Sequence, residues 1–385
     1  MKQHFVPVLF TAGVCLFCAL STGSAVLLMA AILLALLCLT SFVSVWTAAR
    51  SARVTQELSQ AKVNRGDDAS VTLTVSHKGL LPIAPITLTL CDLLGGEEEP
   101  VRLKSASGRR QQLRFPFNAR HVGVVEVGVK KYKVEDVFGL FSVTRTPDTP
   151  CAELLVLPLP FETEDLKFAP GDEGLESMAR ATEDISSPAD VRAYQPGDPL
   201  KKIHWKLSLR KGDLLVRRFE QPTLPDALVL MDTSPPHLSP GCDERRRPYL
   251  CDAVLETAAS VVACQIRQDN PVRMPIVGDR PMEYSSRMGL PLLLDELARI
   301  NFNATERFER IIMMQLTELR KTGAVVIITT RLRSEMVELF VRMKRMGPNV
   351  RLYLVTFNPE EERFVPLVSR LQQASIEVNY VTPQG

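Results

Sequence analysis

Two stretches of this 385-residue chain carry residues whose types and spacing suit chemistry. The first is Asp232-Thr233-Ser234, which follows the apolar run Ala227 to Met231. A carboxylate with a hydroxyl two residues on can face one hard cation such as Mg²⁺, which takes oxygen ligands. A hydrolase would instead use Ser234 with His237, but a base three residues along a proline-rich turn has no evident orienting partner. The third reading is a turn in which the short polar side chains bond the backbone that follows. All three stay open on residue chemistry. Between residues 151 and 385 no GxGxxG, GxxxxGK[ST] or GxSxG occurs. The usual nucleotide loops and the α/β-hydrolase elbow are thereby unsupported, and no small-molecule substrate is evident.

The second stretch is "YQPGDPLKKIHWKLSLRKGDLLVRRFE", Tyr194 to Glu220. From Val191 to Arg218 eight cations face two acids, a net of +6. Just before it, Phe161 to Ser187 holds eight acids against two cations, a net of −6. The whole chain's +2 therefore hides a strong local dipole, in which the acidic segment can cover the basic one. Asp198 is a good N-cap and Pro199 fits a first helical position, so a short helix is expected from there to about Arg210. Leu200, Ile203 and Leu207 form its apolar face, and Gly212 ends it before a strand "LLVRRFE". Trp205 lies off that stripe, so it caps a core edge or is exposed. The readings are a solvated amphipathic helix, a protein-docking patch, an anionic-lipid patch and a nucleic-acid surface. The last is weak, because one Trp and one Tyr beside an acidic neighbour offer little stacking.

The elements that must position these residues follow from periodicity. After residue 223 apolar strands alternate with helices: strands at 227–231, 272–278, 324–330, 350–357 and 376–381, and helices at about 246–268, 289–301, 305–320, 334–346 and 360–373. That alternation means a Rossmann-like α/β layering, a mostly parallel sheet covered on both faces. Ligands in such sheets bind beyond the carboxyl ends of strands, where Asp232, Thr233, Ser234, Asp279, Thr329 and Thr330 fall. Residues 52–150 have period two, as in "ASVTLTVSH" and "VGVVEVGVKKYKV", punctuated by turns. This reads as a small all-β, Ig-like sandwich, a spacer or docking module. Between the two lie an acidic linker, 151–190, and the basic stretch, 191–222.

No charge occurs from Phe5 to Ala49. One helix of that length would measure roughly 68 Å, against about 30 Å of bilayer core, so two spans are expected, about 5–20 and 25–46, broken at Ser21 to Ser24. Lys2, Arg50 and Arg53 flank the hairpin and favour the cytoplasmic side, which puts the remaining residues in the cytoplasm. Of the eight cysteines, Cys15, Cys18 and Cys38 lie in the apolar run, and the other five are scattered with no CxxC spacing, which argues against a zinc site or a disulfide framework and suits a reducing compartment.

Arg192-x-Tyr194-x-x-Gly197-Asp198, then Ile203-x-Trp205-x-x-Ser208-x-Arg210, closing on Leu214-Leu215-Val216 and Phe219-Glu220, resembles the signature of the domain-of-unknown-function-58 family. "EDVFGLF", Glu135 to Phe141, is similar to that family's Asp-Pro-Phe-Gly-Leu-Phe, with Val137 in place of proline. "ARHVGVVEVG" resembles the strand before it. The resemblance implies a bacterial inner-membrane protein with a von Willebrand factor A-like domain, not known as an enzyme, that partners a MoxR-type AAA+ ATPase. Arg192, Tyr194, Gly197, Asp198, Lys201, Lys202, His204, Trp205, Ser208 and Arg210 would then belong to a docking or scaffold motif. His204 stands where Asp is usual. The metal-ion-dependent adhesion pattern Asp-x-Ser-x-Ser is degenerate here, as Asp232-Thr233-Ser234-Pro235-Pro236, and its later Thr-Asp is Thr329-Thr330. Asp232 and Ser234 would hold Mg²⁺ weakly at best, so no cofactor is expected beyond that. The expected role is a membrane-anchored adaptor. The rivals are an envelope-biogenesis protein without an ATPase and a metal-dependent hydrolase using Asp232 and Ser234.

Overall fold

The computed structural model describes residues 5–77, 86–90, 100–103, 110–136, 138–168, 188–195, 203–219, 226–238, 243–277, 281–304 and 306–383. The chain divides into two compact units, Met1–Pro158 and Leu159–Gly385.

The first unit opens with α1 (Phe5–Thr22) and α2 (Ala25–Ser51), both long and apolar enough to cross a membrane. Gly23 turns the chain between them at φ +66°, a conformation that costs glycine little. Among the described residues ten strands follow: β1 (Ala52–Leu58), β2 (Lys62–Asn64), β3 (Asp68–His77), β4 (Ile86–Leu90), β5 (Pro100–Leu103), β6 (Arg110–Asn118), β7 (Gly123–Val127), β8 (Val129–Glu135), β9 (Ser142–Arg145) and β10 (Ala152–Leu157). They form three sheets, β1-β3-β6, β2-β10-β7 and β5-β4-β8-β9. Alternate side chains point inward, and Val54, Leu73, Ile86, Leu88, Val134 and Leu154 form one fully buried core.

Buried Gln56 ties the sheets together. Its Oε1 accepts from Val129 N at 2.6 Å, and its Nε2 donates to Thr149 O and Pro150 O at 2.8 and 2.7 Å. Gly128 makes room for this: a Cβ there would fall 2.4 Å from Gln56 Oε1. Two features depart from expectation. β10 lies in the segment expected to be linker, yet pairs antiparallel with β7 and parallel with β2. Cys151, beside it, is disulfide-bonded, so the expectation of wholly unpaired cysteines is corrected. Spacing rules address zinc and short redox motifs and do not foresee a bridge at an isolated cysteine.

In the second unit β11 (Pro188–Ala193) pairs antiparallel with β12 (Leu215–Phe219), and α3 (Trp205–Lys211) lies between them in sequence. The main sheet comprises β13 (Asp226–Met231), β14 (Val272–Ile276), β15 (Met282–Ser285), β16 (Thr322–Thr329), β17 (Asn349–Val355) and β18 (Glu377–Val381), in the order β15-β14-β13-β16-β17-β18. All its neighbours are parallel except β14–β15, an antiparallel edge that the sequence pattern does not announce, because "MEYS" is short and half polar. The helices are α4 (Arg247–Arg267), α5 (Leu290–Leu297), α6 (Phe308–Gln315), α7 (Ser334–Arg345) and α8 (Val365–Gln373). The mostly parallel α/β sheet thus agrees with the alternation in the sequence. β16 is buried along all eight residues, as a central parallel strand covered on both faces must be. α4 is also apolar enough to cross a membrane, but 72% of its most apolar window is buried inside the protein, which makes it a core helix.

Candidate functional site

The carboxyl ends of β13 and β16 adjoin, because the two strands pair in register from Ala227↔Ala324 to Met231↔Ile328. This brings Asp232 and Thr329, far apart in sequence, into contact. Asp232 Oδ1 accepts from Ser234 Oγ at 2.6 Å and Ser234 N at 3.0 Å, and Oδ2 accepts from Thr329 Oγ1 at 2.8 Å. The turn reading is thus realised in the Asp232–Ser234 bonds. Asp232 and Thr329 are buried, and Thr233 Oγ1 donates to Val277 O at 3.2 Å on the other side. Asp279 lies outside the described residues. His237 is exposed, and Ser234 donates to Asp232 instead of to it.

A recess of about 310 Å³ opens over this network. Besides Asp232 and Ser234 it is lined by Arg307, Arg331 and Arg333 and by Glu306 and Glu309. Arg331 donates to Pro235 O at 2.8 Å, and Arg333 stands 4.0 Å from Glu309. Sequence reasoning missed these arginines; the available signal was Arg331-x-Arg333 directly after an apolar strand end. As a home for Mg²⁺ the donor set fits poorly. One carboxylate and two hydroxyls already satisfy each other, and three guanidinium groups share the lining with three carboxylates. Among the described residues no three His, Cys, Asp or Glu side chains are grouped to hold a metal. Nor is Cys251 a nucleophile in waiting: burial, and then the Asp252 charge, push its thiol up to about 12, so it is protonated at neutral pH.

The second candidate is α3. Its start differs from the expected one: the described helix begins at Trp205, and Asp198, with Gly197, Lys201 and Lys202, lies outside the described residues. The N-cap is His204, whose Nδ1 accepts from Leu207 N at 3.3 Å. Gly212, at φ +80°, closes the helix in the left-handed conformation that favours glycine. Buried Ser208 fastens α3 to β12, its Oγ accepting from Leu215 N at 2.9 Å, while His204 N donates to Leu215 O at 2.8 Å. Ile203 is buried in a bridge to Val216. Tyr194 N donates to Leu214 O at 2.8 Å, and Arg192 pairs in register with Val216, its side chain lying outside the description.

Beside inward-turned Ser208, an apolar stretch of α3 is left to solvent. Trp205 is 56% exposed and Leu209 83% exposed, four residues apart and therefore neighbours on one face. Lys206, Arg210 and Lys211 surround them, all exposed. Of the acidic segment, residues 169–187 lie outside the description. Its first part packs within the second unit: Arg351 donates to Glu164 O at 3.1 Å, and Leu166 is buried.

Comparison with known proteins adds the following. An uncharacterised protein of Bacillus subtilis (strain 168), YeaD, is 24% identical over 204 residues, 48% of each chain; this chain therefore spans about half the length of that curated relative. Among solved structures, the sporulation control protein Spo0M of Bacillus subtilis is similar over 28% of this chain and 49% of its own, at 20% identity and a TM-score of 0.18. The bacterial hydrophobin BslA is similar over 25% of this chain and 97% of its own, at 12% identity and a TM-score of 0.18. Similarities this slight assign no fold. Residues 190–372, which hold α3 and the strand-end recess, match the family model described as "Protein of unknown function DUF58".

Proposed function

We propose that this chain is a membrane-anchored adaptor whose second unit, an A-type domain in function, docks a protein partner on α3. The observation that carries this reading is the solvent-facing pair Trp205 and Leu209, set among three exposed cations inside the family-matched segment. A large aromatic and a leucine presented one helical turn apart, with a charged rim, have the make-up of an interface anchor. The partner proposed is a MoxR-type AAA+ ATPase, and the side proposed is the cytoplasmic face of a bacterial inner membrane. No cofactor and no catalytic step are part of the reading. Supporting it, the Asp232 oxygens are taken up by Ser234 and Thr329, and Ser234 donates to Asp232 and not to His237.

The test is affinity capture of the full chain from detergent-solubilised membranes. Co-purification of an AAA+ ATPase is expected, reduced about tenfold or more in Trp205→Ala/Leu209→Ala, as for loss of a buried anchor. Asp232→Ala should leave that capture unchanged. Capture without any AAA+ ATPase would favour the envelope-structural reading, and an activity lost on chelation and in Asp232→Ala would favour the hydrolase.

A further inference from the structure

The first unit contains a cationic cleft at the end of α2 that the adaptor reading does not use. It measures about 530 Å³ and is lined by Arg50, Arg53, Lys131 and Arg145, with Tyr132 at its wall. Asp148, 3.8 Å from Arg53, is the acid that lines it, so the lining carries a net charge of +3. Its position along the membrane axis follows from the hairpin. Counting about 20 residues of α2 from Ala25 to cross roughly 30 Å of hydrocarbon ends near residue 45. The headgroup layer, about 5–8 Å thick, then covers the next turn or so of helix. Trp46 falls at the start of that layer and Arg50 within it, with the guanidinium 3.9 Å from the indole centroid. Aromatic rings and cations in this order mark a membrane interface.

The β8–β9 hairpin runs alongside and fits the same levels. At its open end Tyr132 and Arg145 pair in register, and Tyr132 Oη donates to Ala52 O at 3.4 Å, level with the end of α2. At its closed end, residues 136–141, Leu140 and Phe141 pack on Cys38 and Val45. Phe141 stacks on Phe5 at 5.0 Å and meets Phe42 edge-on at 5.6 Å. The turn therefore lies beside Phe5 of α1 and Cys38 and Phe42 of α2, in the apolar part of the hairpin. Several of its polar groups are paired within the turn or with α2, as a segment beside apolar membrane helices needs. The Asp136 carboxylate accepts from Ser41 Oγ, Phe138 N and Phe141 N, while Asp136 N and Gly139 N bond carbonyls of the same turn. Phe138 is left 61% exposed at the tip.

We propose that the Arg50–Arg53–Lys131–Arg145 cleft holds the phosphate headgroup of an anionic phospholipid, whose acyl chains run past Phe138 along the hairpin. The cleft is on the side where the rest of the chain emerges, so the site does not depend on which face of the membrane that is.

The test uses the full chain in nanodiscs of equal phosphatidylglycerol and phosphatidylcholine, with retained lipid identified by native mass spectrometry. Phosphatidylglycerol should be retained over phosphatidylcholine, and Arg53→Gln/Lys131→Gln/Arg145→Gln should reduce that preference about tenfold. Arg53→Lys/Arg145→Lys, which keeps the charge, should retain it, and circular dichroism of each variant separates loss of the site from loss of the fold. Phe138→Ser should loosen both lipids alike. Equal retention of the two lipids by the wild-type chain, or an unchanged preference in the folded glutamine variant, would overturn the proposal. So would displacement of the lipid by millimolar inorganic phosphate, which would assign the cleft to a soluble anion.

Discussion

A helix of seven residues leaves its first N–H groups without partners of its own, and His204 supplies an acceptor for one of them. An aspartate at the same position would accept the same hydrogen bond, so the departure from the related signature keeps the function of the residue while changing its charge. The bond is long, at 3.3 Å, and Leu207 N is also within 3.0 Å of the His204 carbonyl, so the side chain's share is at the modest end for a cap, about 0.5–1 kcal/mol. His204→Ala should raise hydrogen exchange across residues 205–211 about two- to fivefold, and His204→Asp should restore protection. A second residue-scale effect is electrostatic. Lys167, and then Arg351, hold the Glu377 carboxyl below its ordinary value near 4.5. Arg351, itself buried, reaches Glu377 Oε2 at 2.6 and 2.9 Å. Because folding lowers this pKa, the ionised carboxylate stabilises the second unit above the unfolded value, and that stability is lost as pH falls through the lower folded value. Acid unfolding should therefore begin at higher pH in Glu377→Gln than in a chain that keeps the pair, and the stability difference between them should shrink below pH 4.5. Urea melts of the two proteins at several pH values measure this.

The elements were legible in proportion to how much of their pattern is set by burial. β13, β16 and β17 read correctly from continuous apolar runs, since a central parallel strand must be apolar on both faces. α7 read correctly because its apolar positions keep helical spacing and Arg and Lys fill its last turn. What failed was decided elsewhere in the chain. β15 exists because β14 offers it an edge, and its four residues carry no period of their own. β10 looks like linker until β7 and β2 are there to pair with it. At the candidate site, Asp232 and Ser234 were visible as a local motif. Thr329 is marked in the sequence by its strand-end position and by its place in the degenerate adhesion pattern, and Arg331 not at all, because the β13–β16 register that joins them is tertiary. α3 shows the same limit on a smaller scale. The cap signal at Asp198-Pro199 was persuasive locally, but the described helix starts where Ser208 and His204 can bond β12.

At the scale of the molecule, two observations pull its orientation in opposite directions. Arg50 and Arg53 follow α2 directly, and cations beside a hairpin favour the cytoplasmic side. The disulfide at Cys151 favours an oxidising compartment, where such bonds persist. The cation bias acts while the hairpin inserts, whereas a disulfide reports only the environment that a finished domain meets, so the cytoplasmic side is the one proposed. The two are separated by fusing reporters after Gly385 in living bacteria. A fluorescent protein that matures only in the cytoplasm should be bright, and an alkaline phosphatase that needs its disulfides should be inactive. On that side Cys151 should be recovered as a thiol when cells are lysed into an alkylating reagent. The reverse pattern, with phosphatase active and Cys151 oxidised, would place both units outside the membrane. A cytoplasmic ATPase could then never reach Trp205 and Leu209, and the adaptor reading would fall, while the lipid cleft at Arg50 would stand unchanged.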